Sequence, residues 1–434
     1  MRILFDLVYL VVLLLLSPWI LWRAWRTGRY RQHLSAKLLG HVEIERSEQP
    51  TVWFHGVSVG EIHLLTTVIQ QFQAKQPGYR VVVSSTTDTG LTEAKAKFGD
   101  NVLPYPFDFS WACDNALSAV KPVLIVLAES DLWPNFLATA KARGVTMVVI
   151  NGRISARSFG RMLKFKSLVH RYLFAPVTSF AVQSEEYAER YRTLGVKAER
   201  IVVTGSVKYD GAGVLASGDE LRKLVGYTPA HRVWVAGSTH APEEEIVLRV
   251  FAKLKARVPN LHLILVPRHK DRFDDVARLI EASGLAYVRR SQLRTAWQAP
   301  PPVLLLDTMG ELGAAWALAD VGFTGGSFDG VRQGQSMIEP AGYGVPNVFG
   351  PFVSNFKDAA ARLIEAKAAA QVNTEDELEA VLRLWLLDDA LRHSVGTNAA
   401  RLVKQQQGAT ARTIKLLAAT LAVRPGGPSE NSLG

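Results

Sequence analysis

The sequence predicts an α/β protein built of two Rossmann-like domains facing each other across a cleft, preceded by an apolar helix. Three observations predict it. Short apolar runs alternate with helical stretches along most of the chain, the alternation breaks once near the middle, and the chain starts with one long apolar run. The 434 residues suffice for two or three domains, and 48% hydrophobic with 21% charged residues excludes disorder over most of the length.

The first element is "ILFDLVYLVVLLLLSPWILW", residues 3–22, about the 20 residues a helix needs to cross a bilayer core. Asp6 and Pro18, near its two ends, weaken the span without forbidding it. The stretch that follows carries Arg23, Arg26, Arg29, Arg31 and Lys37 and no acid, which by the positive-inside rule places everything downstream in the cytoplasm. A signal peptide would need a basic start and a small-residue cleavage site. An uncleaved, single-pass anchor in the inner (plasma) membrane is therefore expected.

The second element is a domain over residues 23–210, in which "TVWFHG", "RVVVSSTTDTG", "PVLIVLAES", "VTMVVING", "SFAVQS" and "RIVVTGS" read as strands. Runs of Val, Ile and Leu, each followed by a helix, indicate a parallel sheet covered on both faces. Residues 211–230, "GAGVLASGDELRKLVGYTPA", hold no strand and read as a linker. The pattern resumes over 231–422 with "RVWVAGSTH", "LHLILVPRH", "PVLLLDTMG", "VGFTGGS" and "PNVFGP", and residues 423–434 read as a disordered tail.

Charge and composition then bound the partners. A net charge of +10 suits a phosphate-bearing ligand or a membrane surface, and no nucleic-acid partner is expected. The single cysteine, Cys113, allows no internal disulfide and no cysteine zinc site, which suits a reducing compartment. No Walker A lysine motif is present, and the ten histidines show no metal-ligand spacing, so no catalytic metal is expected.

In open parallel sheets ligands bind beyond the carboxyl ends of the strands, so residues just after each apolar run are the candidates. Glu61 ends "TVWFHGVSVGE". Ser58 and Glu61 fit a Ser-x-x-Glu capping box, but a carboxylate at a strand end can also accept a proton from a substrate hydroxyl. Glu129 and Asp131 hold comparable places in "AESDLWPN". The segment 153–171, "RISARSFGRMLKFKSLVHR", holds Arg157, Arg161 and Lys164 among interleaved apolar residues and no acid; it reads either as a helix facing the core with a basic outer side or as a surface for anionic lipid.

The strings "WFHGVSVGE", "AESDLWPN", "NGRISARS", "GSVKYD", "GSTHAPEEE", "LVPRH", "DTMGEL", "GGSFDG" and "MIEPAGYGVPNVFGP" occur in an order and spacing that resembles the bacterial Kdo transferases, which add 3-deoxy-D-manno-octulosonic acid (Kdo) to the lipid A precursor. The resemblance runs from the anchor to about residue 365. It implies a GT-B glycosyltransferase of lipopolysaccharide biosynthesis that uses CMP-Kdo as donor, inverts the anomeric carbon and needs no metal.

The resemblance also implies roles. Glu61 matches the general base, Glu129 a second acid that stabilises the transition state, and Lys208 a catalytically important lysine. Pro267 and Arg268, then Met309, Gly310 and Glu311, then Gly326, Ser327, Ser336 and Glu339 match the CMP and donor site. Physically, Arg268 can pair with a phosphate, amides near Gly310 can meet the nucleotide, and Glu339 can accept from ribose hydroxyls. The chain departs from the family pattern at Asp131, where glutamate is usual, at Gln335 and Ser336, which replace histidine and asparagine, and at Ser206, which replaces asparagine. These departures leave the donor sugar open to a related CMP-linked acid. A GT-B transferase or epimerase using another nucleotide sugar, or a silent nucleotide-sugar-binding membrane protein, are the other classes weighed.

Overall fold

The computed structural model describes residues 2–27, 33–45, 47–129, 131–212, 216–295 and 299–422. The chain divides into two units, Met1–Val207 with Gly408–Gly434, and Lys208–Gln407.

The first unit is a seven-stranded, all-parallel sheet of β1 (Thr51–His55), β2 (Arg80–Ser85), β3 (Val102–Pro104), β4 (Pro122–Ala128), β5 (Thr146–Gly152), β6 (Ser179–Val182) and β7 (Ile201–Val203), in the order β3-β2-β1-β4-β5-β6-β7. Successive side chains point to opposite faces, so β1 divides between two cores. Trp53 joins Ile125, Leu127 and Phe136 on one face, while Val52 and Phe54 join Leu124, Val126 and Leu65 on the other. The chain leaves β1 toward β2 and β3, then returns to β4 on the other side. The topological switch point, and with it the crevice, lies between β1 and β4.

Two helices precede that sheet, α1 (Arg2–Thr27) and α2 (Leu34–Leu39), and α3 (Val59–Lys75) follows β1. α1 is the one helix among the described residues long and apolar enough to cross a membrane, and little of its Arg2–Trp19 stretch is buried. The helix Ala409–Ala422 packs on α3, placing Ile414, Leu417 and Leu421 in the first unit's core.

The second unit repeats the design with β8 (Arg232–Thr239), β9 (Leu261–Pro267), β10 (Tyr287–Arg289), β11 (Val303–Leu305), β12 (Val321–Thr324), β13 (Asn347–Phe349) and β14 (Ala369–Gln371), ordered β10-β11-β9-β8-β12-β13-β14, all parallel. Its switch point lies between β8 and β12.

The α/β class and the two parallel sheets agree with the sequence reading; the boundaries differ. The first unit ends at Val207 rather than 210, and residues 409–422 belong to it rather than to the second domain, because their apolar face completes its core. The stretch read as a linker contains the helix Asp219–Val225, whose Leu221 and Val225 are buried with Trp316 and Leu304, so it is part of the second unit. The tail 423–434 lies outside the described residues.

Candidate active site

In the first unit the crevice between β1 and β4 gathers three carboxylates. Glu61 stands in the first turn of α3, Glu129 directly follows β4, and Asp131 lies two residues on. Glu61 Oε2 accepts the Val57 amide, while the N-cap Ser58 makes no side-chain capping bond. The Ser58 amide also bonds to the Glu61 carboxylate, which is one half of the capping box, and that carboxylate is half-buried. Burial first, then the charge of Glu129, push the Glu61 carboxyl up to about 7; Asp131 adds to the rise, and the amides of Val57 and Ser58 oppose it. A carboxylate that titrates there suits a general base at neutral pH.

The surrounding residues fix the two neighbours. Glu129 has left-handed backbone (φ 57°), a conformation that costs a non-glycine residue roughly 1–2 kcal/mol. Its amide donates to Ile150 O (2.9 Å), and its side chain takes an ion pair from Arg153 Nε (2.7 Å) and a long contact from Asn151 Nδ2 (3.4 Å). Asn151, itself at φ 52°, accepts the Val207 amide through Oδ1 (3.1 Å). Asp131 accepts from Trp133 Nε1 (2.9 Å) and from the buried His55 Nε2 (3.0 Å), whose Nδ1 meets Ser84 Oγ at 2.9 Å. His55 lies flat on Tyr105, with centroids 3.7 Å apart. Both side chains are thereby held in fixed orientation.

Lys208 opens the second unit at the start of the short helix Lys208–Gly211, with Nζ 5.4 Å from the centroid of Phe356. It directly follows Val207, the residue that Asn151 holds.

At the second switch point, Glu243 is the organising residue. It is fully buried, and its carboxylate accepts four backbone amides: His240 (3.0 Å) and Gly326 (2.7 Å) on Oε2, Ser327 (2.8 Å) and Phe328 (3.1 Å) on Oε1. This ties the end of β8 to the loop after β12. Gly325 must be glycine, since a Cβ would meet Ser238 O and Thr239 Cα at 2.6 Å. The loop that carries the departures is stitched to it, with Gly334 N donating to Gly326 O (2.7 Å) and Gln335 N to Gly325 O (3.1 Å).

Basic groups collect at the same strand ends. Arg268 follows Pro267 at the end of β9 and donates its amide to Thr239 O (3.0 Å). His240 is buried, its Nε2 has no partner, and its imidazole is pushed down to about 4 by burial and then by Arg332 and His269, with Arg268 contributing. Glu339 is open to solvent at its surface, yet the surrounding protein raises its carboxyl and Arg268 opposes the rise, so those two side chains share one field.

The structure thus brings Glu61 and Glu129 together in one unit and Arg268 and Glu339 together in the other. Met309 and Gly310 are exposed, Gly310 at φ 88°, and Glu311 is half-buried, pairing with Arg290 (2.7 Å). Ser327 has a structural part as well. It is fully buried; its hydroxyl donates to Thr324 O and accepts from Gly350 N, so it braces the loop. Ser336 is half-buried. Arg157, Arg161 and Lys164 are all exposed on the helix Ala156–Lys164, while Phe159 and Met162 pack on the core, the arrangement of a core-facing helix with a basic outer side. Arg153, in contrast, turns to Glu129.

Sequence reasoning missed His55, Asn151, His240 and Glu243. Each sits at or just after the end of a strand, the position rule already used, but a histidine or asparagine there carries no motif of its own. Among the described residues no three His, Cys, Asp or Glu side chains form a metal-ligand group.

Residues 26–211 match the family described as 3-deoxy-D-manno-octulosonic-acid transferase (kdotransferase). The chain is 32% identical over 399 residues to the 3-deoxy-D-manno-octulosonic acid transferase of Haemophilus influenzae, covering 90% of this chain and 92% of that one. With the enzyme of the same name from Bordetella pertussis it is 34% identical over 384 residues, 84% and 86% of the two chains. Among solved structures, UDP-GlcNAc 2-epimerase from Neisseria meningitidis bound to UDP-GlcNAc aligns over 86% of this chain and 99% of its own, at a TM-score of 0.55 and 10% identity. That likeness is one of fold alone. The protein belongs to the 3-deoxy-D-manno-octulosonic acid transferase family of glycosyltransferases.

Proposed function

We propose that the chain transfers Kdo from CMP-Kdo to a hydroxyl of the lipid A precursor, with inversion, at the cytoplasmic face of the inner membrane. The observation that carries this reading is the acidic group at the β1/β4 switch point, with Glu61 raised to about 7 beside Glu129 and Asp131. Glu61 takes the proton of the attacking hydroxyl as its oxygen bonds to the anomeric carbon, and the bond from that carbon to the phosphate oxygen breaks with its electron pair leaving on CMP. Arg268 balances the phosphate charge, and Glu339 accepts from the ribose. Glu129 and Asp131 keep Glu61 basic and favour positive charge developing at the anomeric carbon. Lys208 serves the carboxylate or phosphate of the donor.

A single phosphate leaving group is neutralised by one arginine and backbone donors, so no metal is invoked. The second unit holds CMP, the first takes the lipid acceptor, and α1 with the basic helix holds the body to the membrane.

The test is incubation with CMP-Kdo and a lipid A precursor, followed by weighing the lipid products. A mass gain of one or more Kdo units supports the reading, and transfer from a UDP-sugar instead would overturn it. Glu61→Gln should lose roughly a hundred- to ten-thousand-fold in rate while still binding CMP. A chelator should leave the rate unchanged.

A further inference from the structure

α1 is apolar along nearly its whole length, yet its first two turns are fastened to the first unit. Asp6 is buried: Oδ1 accepts from the Ser110 amide (2.8 Å) and from Asn135 Nδ2 (3.0 Å), and Oδ2 from the Ser110 hydroxyl (2.5 Å). The Tyr9 hydroxyl donates to Asp108 Oδ2 (2.9 Å), which also accepts the Asn135 amide, and Arg2 donates to Ala138 O (2.9 Å). Phe5 meets Tyr172 edge to face, with centroids 5.3 Å apart. Arg2, Phe5, Asp6 and Tyr9 recur at helical spacing, so one stripe of α1 faces the body. Asp6 thereby caps the helix Ser110–Val120.

The chain is fastened to the same place again just beyond α1. Trp111 Nε1 donates to Leu38 O (2.9 Å), Asn115 Nδ2 to Leu39 O (2.8 Å), and Lys37 pairs with Asp88 (2.9 Å). Both flanks of the apolar run are held by the helix that starts at Ser110. From Tyr9 to Thr27 a helix rises about 27 Å. From Thr27 to Leu34 even a fully extended chain reaches only about 25 Å. Were α1 to leave the body at Tyr9 and cross a hydrocarbon core of about 30 Å, Thr27 would lie at the far side with too little chain to return. Were residues 1–9 themselves on the far side, the Asp6, Tyr9 and Phe5 contacts could not exist.

We infer that α1 does not cross the membrane: both of its ends stay on the body's side, and the helix lies in the near leaflet of an anionic lipid bilayer. This replaces the single-pass anchor expected from length and composition, and it rests on the reading of α1 as a membrane element, not on the transfer reaction. The face turned from the body supplies the lipid contact, with Ile3, Leu7, Leu14 and Leu15 all more than half exposed. The contact is not confined to α1. Tyr172, the partner of Phe5, follows a segment whose Leu163, Phe165 and Leu168 are exposed among Arg157, Arg161 and Lys164. Apolar side chains with basic neighbours are what an anionic leaflet accepts, and the Phe5–Tyr172 contact joins the two stretches into one surface.

The test uses the full-length protein in bacterial inner membranes. A cysteine placed in a short Gly-Ser extension ahead of Met1 is labelled with a membrane-impermeant maleimide, in intact spheroplasts and in inverted vesicles. Labelling in inverted vesicles alone is expected, as for Arg26→Cys. Labelling of the extension from the outer face would overturn the inference. As an independent measurement, Phe5→Cys with Tyr172→Cys should be bridged by a short bismaleimide in the membrane-bound protein; a well-folded, membrane-bound pair that is not bridged would also overturn it. Loss of the parent protein from the membrane on carbonate washing would instead sink the membrane reading of α1.

Discussion

Glu243 accepts the backbone amide of Ser327 at 2.8 Å, across the switch point from the end of β8 to the loop after β12. Three further amides converge on the same carboxylate. Burial alone would favour the protonated acid, and the four donors oppose that, so one buried group sets the loop that leads into Gln335, Ser336 and Glu339. Glutamine at 243 retains one acceptor oxygen but turns an NH2 toward amides that need acceptors. Glu243→Gln should destabilise the second unit by about 1–3 kcal/mol, the cost of buried donors left unpaired. Hydrogen exchange at residues 326–328 should accelerate, and calorimetric titration should show weaker CMP binding. Unchanged exchange there would mean the loop is held by other contacts.

The raised carboxyl of Glu61 fixes the direction of the pH dependence. A base must be ionised, so kcat/KM should rise with pH and level off above about 7. Asp131→Asn removes one of the two charges that raise Glu61, and should move this limb toward lower pH while leaving CMP binding alone. Stability runs the other way. A carboxyl that titrates higher in the folded than in the unfolded chain contributes most in acid and loses its contribution as pH passes through about 7. Glu61→Gln should therefore gain stability over the parent near about pH 8 and not near about pH 4, followed by thermal unfolding.

Arg268 and Glu339 share a field and should separate in titration. Arg268→Ala removes a charged donor to the phosphate and should weaken CMP by about 1.5–3 kcal/mol, whereas Arg268→Lys keeps the charge and should lose less. Glu339→Ala should weaken cytidine as much as CMP, because its proposed partners are ribose hydroxyls; equal losses of cytidine and CMP in Arg268→Ala would contradict the phosphate assignment.

Much of this arrangement was legible in the sequence, and the missing parts share a cause. The eleven apolar runs all became strands, most of them because a strand buried on both faces is written as an uninterrupted apolar stretch; β7, at a sheet edge, is apolar yet largely exposed. The three strands not read, β3, β10 and β14, are edge strands written Val-Leu-Pro, Tyr-Val-Arg and Ala-Ala-Gln, in which proline, a charge or small and polar residues replace the apolar run. Glu61 and Glu129 stand out in the sequence because strand ends point at the crevice. His55 and Glu243 do not, because what marks them is partners distant in sequence: Asp131 lies 76 residues from His55, and Ser327 lies 84 from Glu243. The helix Ala409–Ala422 was given to the second domain for the same reason, its core partners lying on α3.

The anchor offers the last test, because composition and structure assign it different roles. From hydropathy α1 is an appendage, and deleting residues 1–22 should leave the body intact. The hydrogen bonds of Asp6 and Tyr9 make its first two turns part of the fold. Asp6→Ala in the full chain leaves the Ser110 amide and the Asn135 side chain facing a dry contact. It should cost about 1–3 kcal/mol, seen as earlier thermal unfolding of the first unit in detergent. Leu14→Ser with Leu15→Ser, on the exposed face, should leave that unfolding unchanged and reduce retention by anionic vesicles. Deleting residues 1–22 should fall between them, because water then reaches Ser110, Asn135 and Asp108 and restores part of the lost bonding, although the packing of Phe5 on Tyr172 and of Tyr9 on Phe109 is gone. If Asp6→Ala unfolds at the parent temperature, the first two turns are not docked, and α1 is the simple tether that its composition describes.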